Sequence, residues 1–335
     1  MHRPTLAALV ALLLAVLPPS RLGAAEPSAS PAAASAAAAA APFELKDGDR
    51  VLFVGGTFVE REGHLGYIEA ALTARFPGRK VTFRNLGQSG DTVKADARNL
   101  NAGWVTFGPP DQGFERLKKL VGEIKPTVVI ANYGMTESFA GPAGAGEFAK
   151  GYDRLLDMVV AAAGSGPDGG KPRVVLLSPN YHEDLGKPLP ETTAHNTSLR
   201  AYRDAVKDVA GRRGARFVDL FAVTEQLAKR DASPKPLTDA GLHPTPEGYK
   251  ALVDPLLAAM NVPPPPAPVP PEKLEALRGL VVAKNAEYFN YWRPQNDTYI
   301  LGYRKKEQGR NAVEIPQFLP LVEAKEQEIA AATGK

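Results

Sequence analysis

The sequence predicts a three-layer α/β/α domain built on a parallel sheet of about five strands, followed by a C-terminal helical tail. Three observations carry this. Short β-branched runs recur that are apolar through their centres, as strands covered on both faces should be. Helical patterns separate them in regular alternation, which favours right-handed βαβ crossovers. A body of roughly 220 residues, within the range of one domain, lies between two low-complexity breaks.

The predicted strands, in order, are Arg50–Gly55, Lys80–Asn85, Thr127–Asn132, Arg173–Ser178 and Arg216–Leu220. The predicted helices are Gly66–Phe76, Gln112–Ile124, Glu147–Ala163, Thr192–Arg213 and Thr245–Met260. In the fourth helix Leu199, Tyr202, Val206 and Val209 recur at three- and four-residue spacing, which marks one buried face. Upstream, Ser28–Pro42 is an Ala/Pro/Ser tract without charge or large apolar residues, and residues 26–42 read as a disordered spacer. Downstream, Pro263–Pro271 carries seven prolines and favours an extended polyproline II strut over 262–271. The body is thus 43–261 and the tail 272–335. The tail opens with a helical pattern over Glu272–Tyr291. Its Trp292, Tyr299 and Tyr303 either pack that helix onto the body or form a sugar or partner surface, and packing is the favoured reading.

Residues 1–25 read as a secretory signal peptide. His2 and Arg3 precede an apolar run from Leu6 to Leu17, and small residues follow at Gly23–Ala25. Twelve apolar residues fall short of the roughly 20 needed to span a bilayer. The expectation is export to the periplasm or the medium of a bacterium. No later stretch reads as a membrane span. The chain has 40 Lys and Arg against 37 Asp and Glu. Removing Arg3 and Arg21 with the leader leaves 38 against 37, so no basic footprint for nucleic acid remains. The absence of cysteine excludes disulfides, thiolate metal centres and a cysteine nucleophile. No G-x-G-x-x-G opens a helix after the first strand and no P-loop occurs, so no cofactor or metal is expected.

In a parallel sheet the site lies at the carboxyl ends of the strands. There the sequence places Gly55-Gly56-Thr57-Phe58, Asn85-Leu86-Gly87-Gln88-Ser89-Gly90-Asp91-Thr92 and Tyr133-Gly134-Met135-Thr136-Glu137-Ser138. Thr238-Asp239-Ala240-Gly241-Leu242-His243-Pro244 leads into the last helix of the body. In order and spacing these blocks resemble the SGNH/GDSL hydrolase superfamily over about residues 43–260. The wider pattern is similar to secreted members from planctomycete-type bacteria. The resemblance implies a flavodoxin-like fold and an esterase or deacetylase activity. It puts Thr57 at the nucleophile, Gly90 and Thr136 with the Thr57 amide in the oxyanion hole, and His243 at the base. The position of the family's His-orienting Asp holds Ala240, and the nearest acid is Asp239. Thr57 and Thr136 also stand where the family has Ser and Asn.

Two readings therefore stay open. One is hydrolysis of acyl or acetyl esters, on small molecules or glycans, by a hydroxyl nucleophile. The other is a catalytically weak or inactive scaffold that binds a glycan or a protein partner. Glu137, His182 and Arg61 are candidates for substrate contact at the rim. Their bland alternatives are loop bracing, solvation and a surface ion pair.

Overall fold

The computed structural model describes residues 41–334 other than 103–104, 108, 167–168, 231–235, 296, 301 and 308–311. The leader and nearly all of the spacer lie outside the described residues. The strands are β1 (Arg50–Gly55), β2 (Thr82–Gly87), β3 (Leu100–Ala102), β4 (Val105–Phe107), β5 (Val128–Asn132), β6 (Arg173–Leu177), β7 (Arg216–Val218), β8 (Thr238–Asp239) and β9 (His243–Pro244). The helices are α1 (Thr57–Leu65), α2 (Tyr67–Arg75), α3 (Gln112–Ile124), α4 (Ala145–Ala162), α5 (Thr193–Arg213), α6 (Leu220–Lys229), α7 (Pro246–Ala259), α8 (Pro271–Trp292), α9 (Asp297–Ile300) and α10 (Phe318–Ala332).

Five strands form one parallel sheet in the order β2-β1-β5-β6-β7. The strand period of two sorts its side chains into two cores. Val51, Phe53, Val128 and Ile130 face one layer with Ile68, Leu72, Leu252 and Leu256, from α2 and α7. Leu52, Val54, Val129 and Ala131 face the other with Leu117, Tyr152, Leu155 and Val206, from α3, α4 and α5. Both faces of the sheet are thus dry, as the continuous apolar runs require.

Three local departures have physical causes. The second strand runs from Thr82 to Gly87, two residues later than its β-branched core suggests, because it pairs in register with β1 from Arg50↔Thr82 to Gly55↔Gly87. Arg216–Leu220 ends as a strand at Val218, because Asp219 caps α6 through its side chain, which accepts the Ala222 N–H. The hydrophobic Leu220 and Phe221 then belong to a helix. The antiparallel pair β3–β4 went unread, since its two strands of three residues carry too little pattern.

The tail packs on the body. α8 and α10 lie side by side over α2 and the exposed edge of β2. Leu277, Val281 and Ile329 meet Ala70, and Tyr288, Trp292 and Val322 join the core beyond the sheet. Lys284, fully buried, donates to the Glu69 carboxylate at 2.5 Å and to the Phe83 carbonyl of β2 at 3.1 Å. Arg84 and Glu326 add a second ion pair at 2.5 Å. Of the tail aromatics, Trp292 is buried, and Tyr303 is exposed. No helix among the described residues is long and apolar enough to cross a membrane.

Candidate active site

The carboxyl ends of β1, β2 and β5 and the hairpin β8–β9 converge on one cleft. Its lining includes Gly56, Thr57, Asp91, Asn132, Gly134, Thr136, Asn180 and His243. Thr57 is the first residue of α1, after Gly56 at the N-cap. Its backbone N–H therefore has no partner within the helix and points with the positive end of the dipole toward the cleft. The turn after β2 comes close to α1: a Cβ on Gly87 would lie 2.1 Å from the Glu60 nitrogen, so only glycine fits. That approach brings Gly90, in the left-handed region at φ +73°, to where its N–H donates to Thr57 Oγ1 at 3.3 Å.

After β5, the left-handed Gly134 turns the chain so that Thr136 lines the cleft. Glu137 holds this loop. One carboxylate oxygen accepts the Gly134 N–H at 3.0 Å and the other the Val93 N–H at 2.9 Å. Burial pushes the Glu137 carboxyl above its ordinary range. Both oxygens are thus engaged by backbone from two loops.

His243 arrives on β9, opposite Asp239 in the register of the hairpin. Ala240 and Gly241 form the turn, both with positive φ (+47° and +79°). The Asp239 carboxylate does not hydrogen-bond the imidazole. It pairs with Arg61 Nη1 at 2.7 Å, and Arg61 reaches α1's neighbour Pro244 as well. Nor does a hydrogen bond join the Thr57 hydroxyl to the His243 ring among the described residues, although both line the cleft. Such contacts commonly tighten only when substrate is bound. The structure thus gathers Thr57, Gly90, Thr136 and His243 at one place and holds Asp239 on Arg61 beside them.

Burial, and then the Arg61 charge, lower the His243 pKa below its ordinary value, while Asp239 pulls the other way. A lowered pKa keeps the ring unprotonated, and so basic, at more acidic pH. Arg61→Gln removes a cation and frees a carboxylate near the ring. We expect the His243 pKa to rise and the acid limb of kcat/KM to move to higher pH, read by NMR titration of the ring and by a pH–rate profile. An unmoved or lowered pKa would contradict this electrostatic account.

Sequence reasoning missed the clamp behind His243. Asn180, buried after β6, donates to the Leu242 carbonyl at 2.8 Å. The Glu183 N–H donates to the Gly241 carbonyl at 2.9 Å. The Glu183 carboxylate accepts the N–H groups of Leu237 and Thr238 and the Thr238 hydroxyl. The 180–183 segment thereby fixes the whole histidine hairpin. His182 is also buried, and its Nδ1 lies 2.9 Å from His195 Nδ1. His195 Nε2 in turn meets Ser138 Oγ at 2.8 Å. Because the Ser138 hydroxyl donates to the Met135 carbonyl, its oxygen accepts from His195, and this assigns His195 the Nε2–H tautomer and His182 the Nδ1–H. Burial pushes the His195 pKa down to about 4, with His182 adding to the effect, and burial lowers His182 too. Both rings are neutral at pH 7 and join the histidine and Thr136 loops. The sequence marks His182 as a rim candidate, but its pairing with His195, 13 residues on, leaves no pattern in the sequence.

Thr57 at a helix N-terminus, the Gly90 amide on its hydroxyl and His243 on the β8–β9 hairpin thus meet at the carboxyl ends of a parallel sheet. The GDSL-like lipase/acylhydrolase family model matches residues 52–251, and the chain belongs to that family of ester-cleaving hydrolases, within the SGNH/GDSL superfamily. Similar solved structures include a catalytic mutant of Axe2, an acetylxylan esterase from Geobacillus stearothermophilus. It shares 18% identity, covering 68% of this chain and 100% of that one, with a TM-score of 0.51. Axe2 itself matches at 18% identity over 66% and 98% of the two chains, with a TM-score of 0.50. These likenesses are in fold. No curated protein sequence matches the chain.

Proposed function

We propose that the protein is an exported esterase that removes acyl or acetyl groups, with carbohydrate esters as the substrate class, using Thr57 as nucleophile and His243 as base. The observation that carries this reading is the Gly90 N–H directed at the Thr57 hydroxyl, in a cleft that His243 also lines. In the reaction, His243 accepts the Thr57 proton as Oγ1 bonds to the acyl carbon. The amides of Thr57 and Gly90, with the Thr136 hydroxyl, take the charge that develops on the carbonyl oxygen. The alcohol leaves with the proton from His243, and water then splits the acyl-threonine ester through the same base. Asp239 acts on the ring through space, with its charge shared with Arg61. The acetylxylan activity named for the similar Axe2 structures supports the choice of substrate class. The leader-like residues 1–25 support export.

Purified protein should hydrolyse short p-nitrophenyl esters and release acetate from acetylated xylo-oligosaccharides. His243→Ala should lower kcat by about 10²–10⁴-fold. Absence of turnover, or turnover indifferent to this substitution, favours the second reading. That reading, a scaffold that binds a glycan or protein in the same cleft, draws its support from the Asp239 carboxylate being turned to Arg61.

A further inference from the structure

The end of α8 meets the turn that carries Gly90 by two separate routes. Arg293, just past the helix, donates from Nη1 to Glu60 Oε2 at 2.6 Å. The same oxygen accepts the Ser89 N–H at 2.6 Å. One residue earlier, the buried Trp292 ring lies 5.5 Å from the Arg98 guanidinium. Arg98, itself buried, donates to the Asp91 carboxylate at 2.7 Å and to the Leu86 carbonyl at 2.6 Å. Gly90 thus sits between two anchored neighbours, Ser89 and Asp91, and each anchor leads back to the last turn of the tail helix. The Cα of Gly90 faces open space, where a Cβ would meet no atom within 4 Å, and the turn itself is closed by the Asp91 N–H on the Gln88 carbonyl at 3.0 Å. With no side chain of its own to pack, Gly90 takes its place from this local turn and from what holds Ser89 and Asp91 on its flanks.

We propose that Arg293 and Trp292 are positioning residues for the Gly90 amide, so that the tail completes the oxyanion hole of the body. Arg293 holds the Glu60 carboxylate in place on the Ser89 N–H, and Glu60 stands one turn along α1 from Thr57, which couples nucleophile and amide in one frame. This is separate from anchoring the helix itself, which is done further up by Leu277, Val281 and Lys284. The inference rests on the reading of Gly90 as an oxyanion donor.

The test uses the full chain with Arg293→Ala, Arg293→Lys and, as a control in the exposed part of the tail, Arg304→Ala. Two readouts are taken: steady-state hydrolysis of p-nitrophenyl acetate, and backbone hydrogen exchange over residues 86–98. With Arg293→Ala we expect kcat to fall by about 10- to 100-fold with KM within about twofold, and exchange at Ser89 and Gly90 to accelerate. Arg293→Lys, which keeps the charge, should restore most of both, and Arg304→Ala should change neither. Unchanged exchange in Arg293→Ala overturns the anchoring by the tail, whatever the activity. Faster exchange with unchanged kcat shows that the anchor exists and overturns instead the role of Gly90 in the reaction. A fall in kcat that Arg293→Lys does not relieve, in protein that melts like wild type, overturns the part given to the charge.

Discussion

Thr57→Ala should lower kcat/KM for ester hydrolysis by about 10³-fold or more, whereas Thr57→Ser should leave it intact or raise it by up to about tenfold. Alanine deletes the only hydroxyl that the Gly90 N–H addresses. The helix N-terminus and the amides remain, so the residual rate reports what the oxyanion hole achieves alone. Serine keeps the oxygen and removes the γ-methyl. A β-branched side chain on a helix has few χ1 choices, and the methyl travels with the oxygen toward the acyl carbon. Serine relieves that crowding and lets Oγ swing between Gly90 and His243. The pair of variants, assayed on the same p-nitrophenyl ester, separates the roles cleanly. An alanine variant as active as wild type removes Thr57 from the chemistry. A serine variant that is dead would show that the methyl holds the hydroxyl in its working rotamer.

Lys284→Met should cost about 3–5 kcal/mol, a large share of the stability of an ordinary domain, because it strands the Glu69 carboxylate in the interior. Both side chains are almost wholly buried, and after the substitution the Glu69 carboxylate keeps the Asn285 Nδ2 donor at 3.1 Å but loses its directly bonded cation. Replacing both partners with apolar residues, as in Lys284→Met with Glu69→Met, should recover most of the loss, since no charge is then left unpaired. Urea melts of wild type and both variants read the loss and its recovery. Equal losses in the single and double variants would show that Lys284 contributes through packing alone.

The strands and long helices were legible because their side chains repeat with the period of the surface they bury. Val51, Phe53 and Leu52, Val54 sort to opposite faces on alternation alone. α6 was not legible, since Arg216–Leu220 has the short apolar centre of a strand and only the Asp219 cap, a local hydrogen bond, ends it. Thr57, Gly90, Thr136 and His243 could be read because each rides on a strand end at motif spacing. The partner of Asp239 could not. Arg61 lies 178 residues away in sequence, and a charge on α1 can find a charge on a hairpin only once the fold has brought them together. The same holds for Asn180 and Glu183, whose work is done on backbone atoms of a distant turn. It holds most of all for the tail, whose near-balanced charge hid one buried ion pair.

The tail also sets an order of events. β2 is an edge strand, and the helix that shields it begins only at Pro271, after every strand of the sheet has been made. During synthesis the body can assemble while its edge remains open, and an open edge is a template for pairing with another chain. The Glu69 carboxylate is closed off from water and paired by the same helix. A newly made chain therefore passes through a stage in which its sheet is formed and its edge is adhesive, and that stage ends when the helix bearing Lys284 docks.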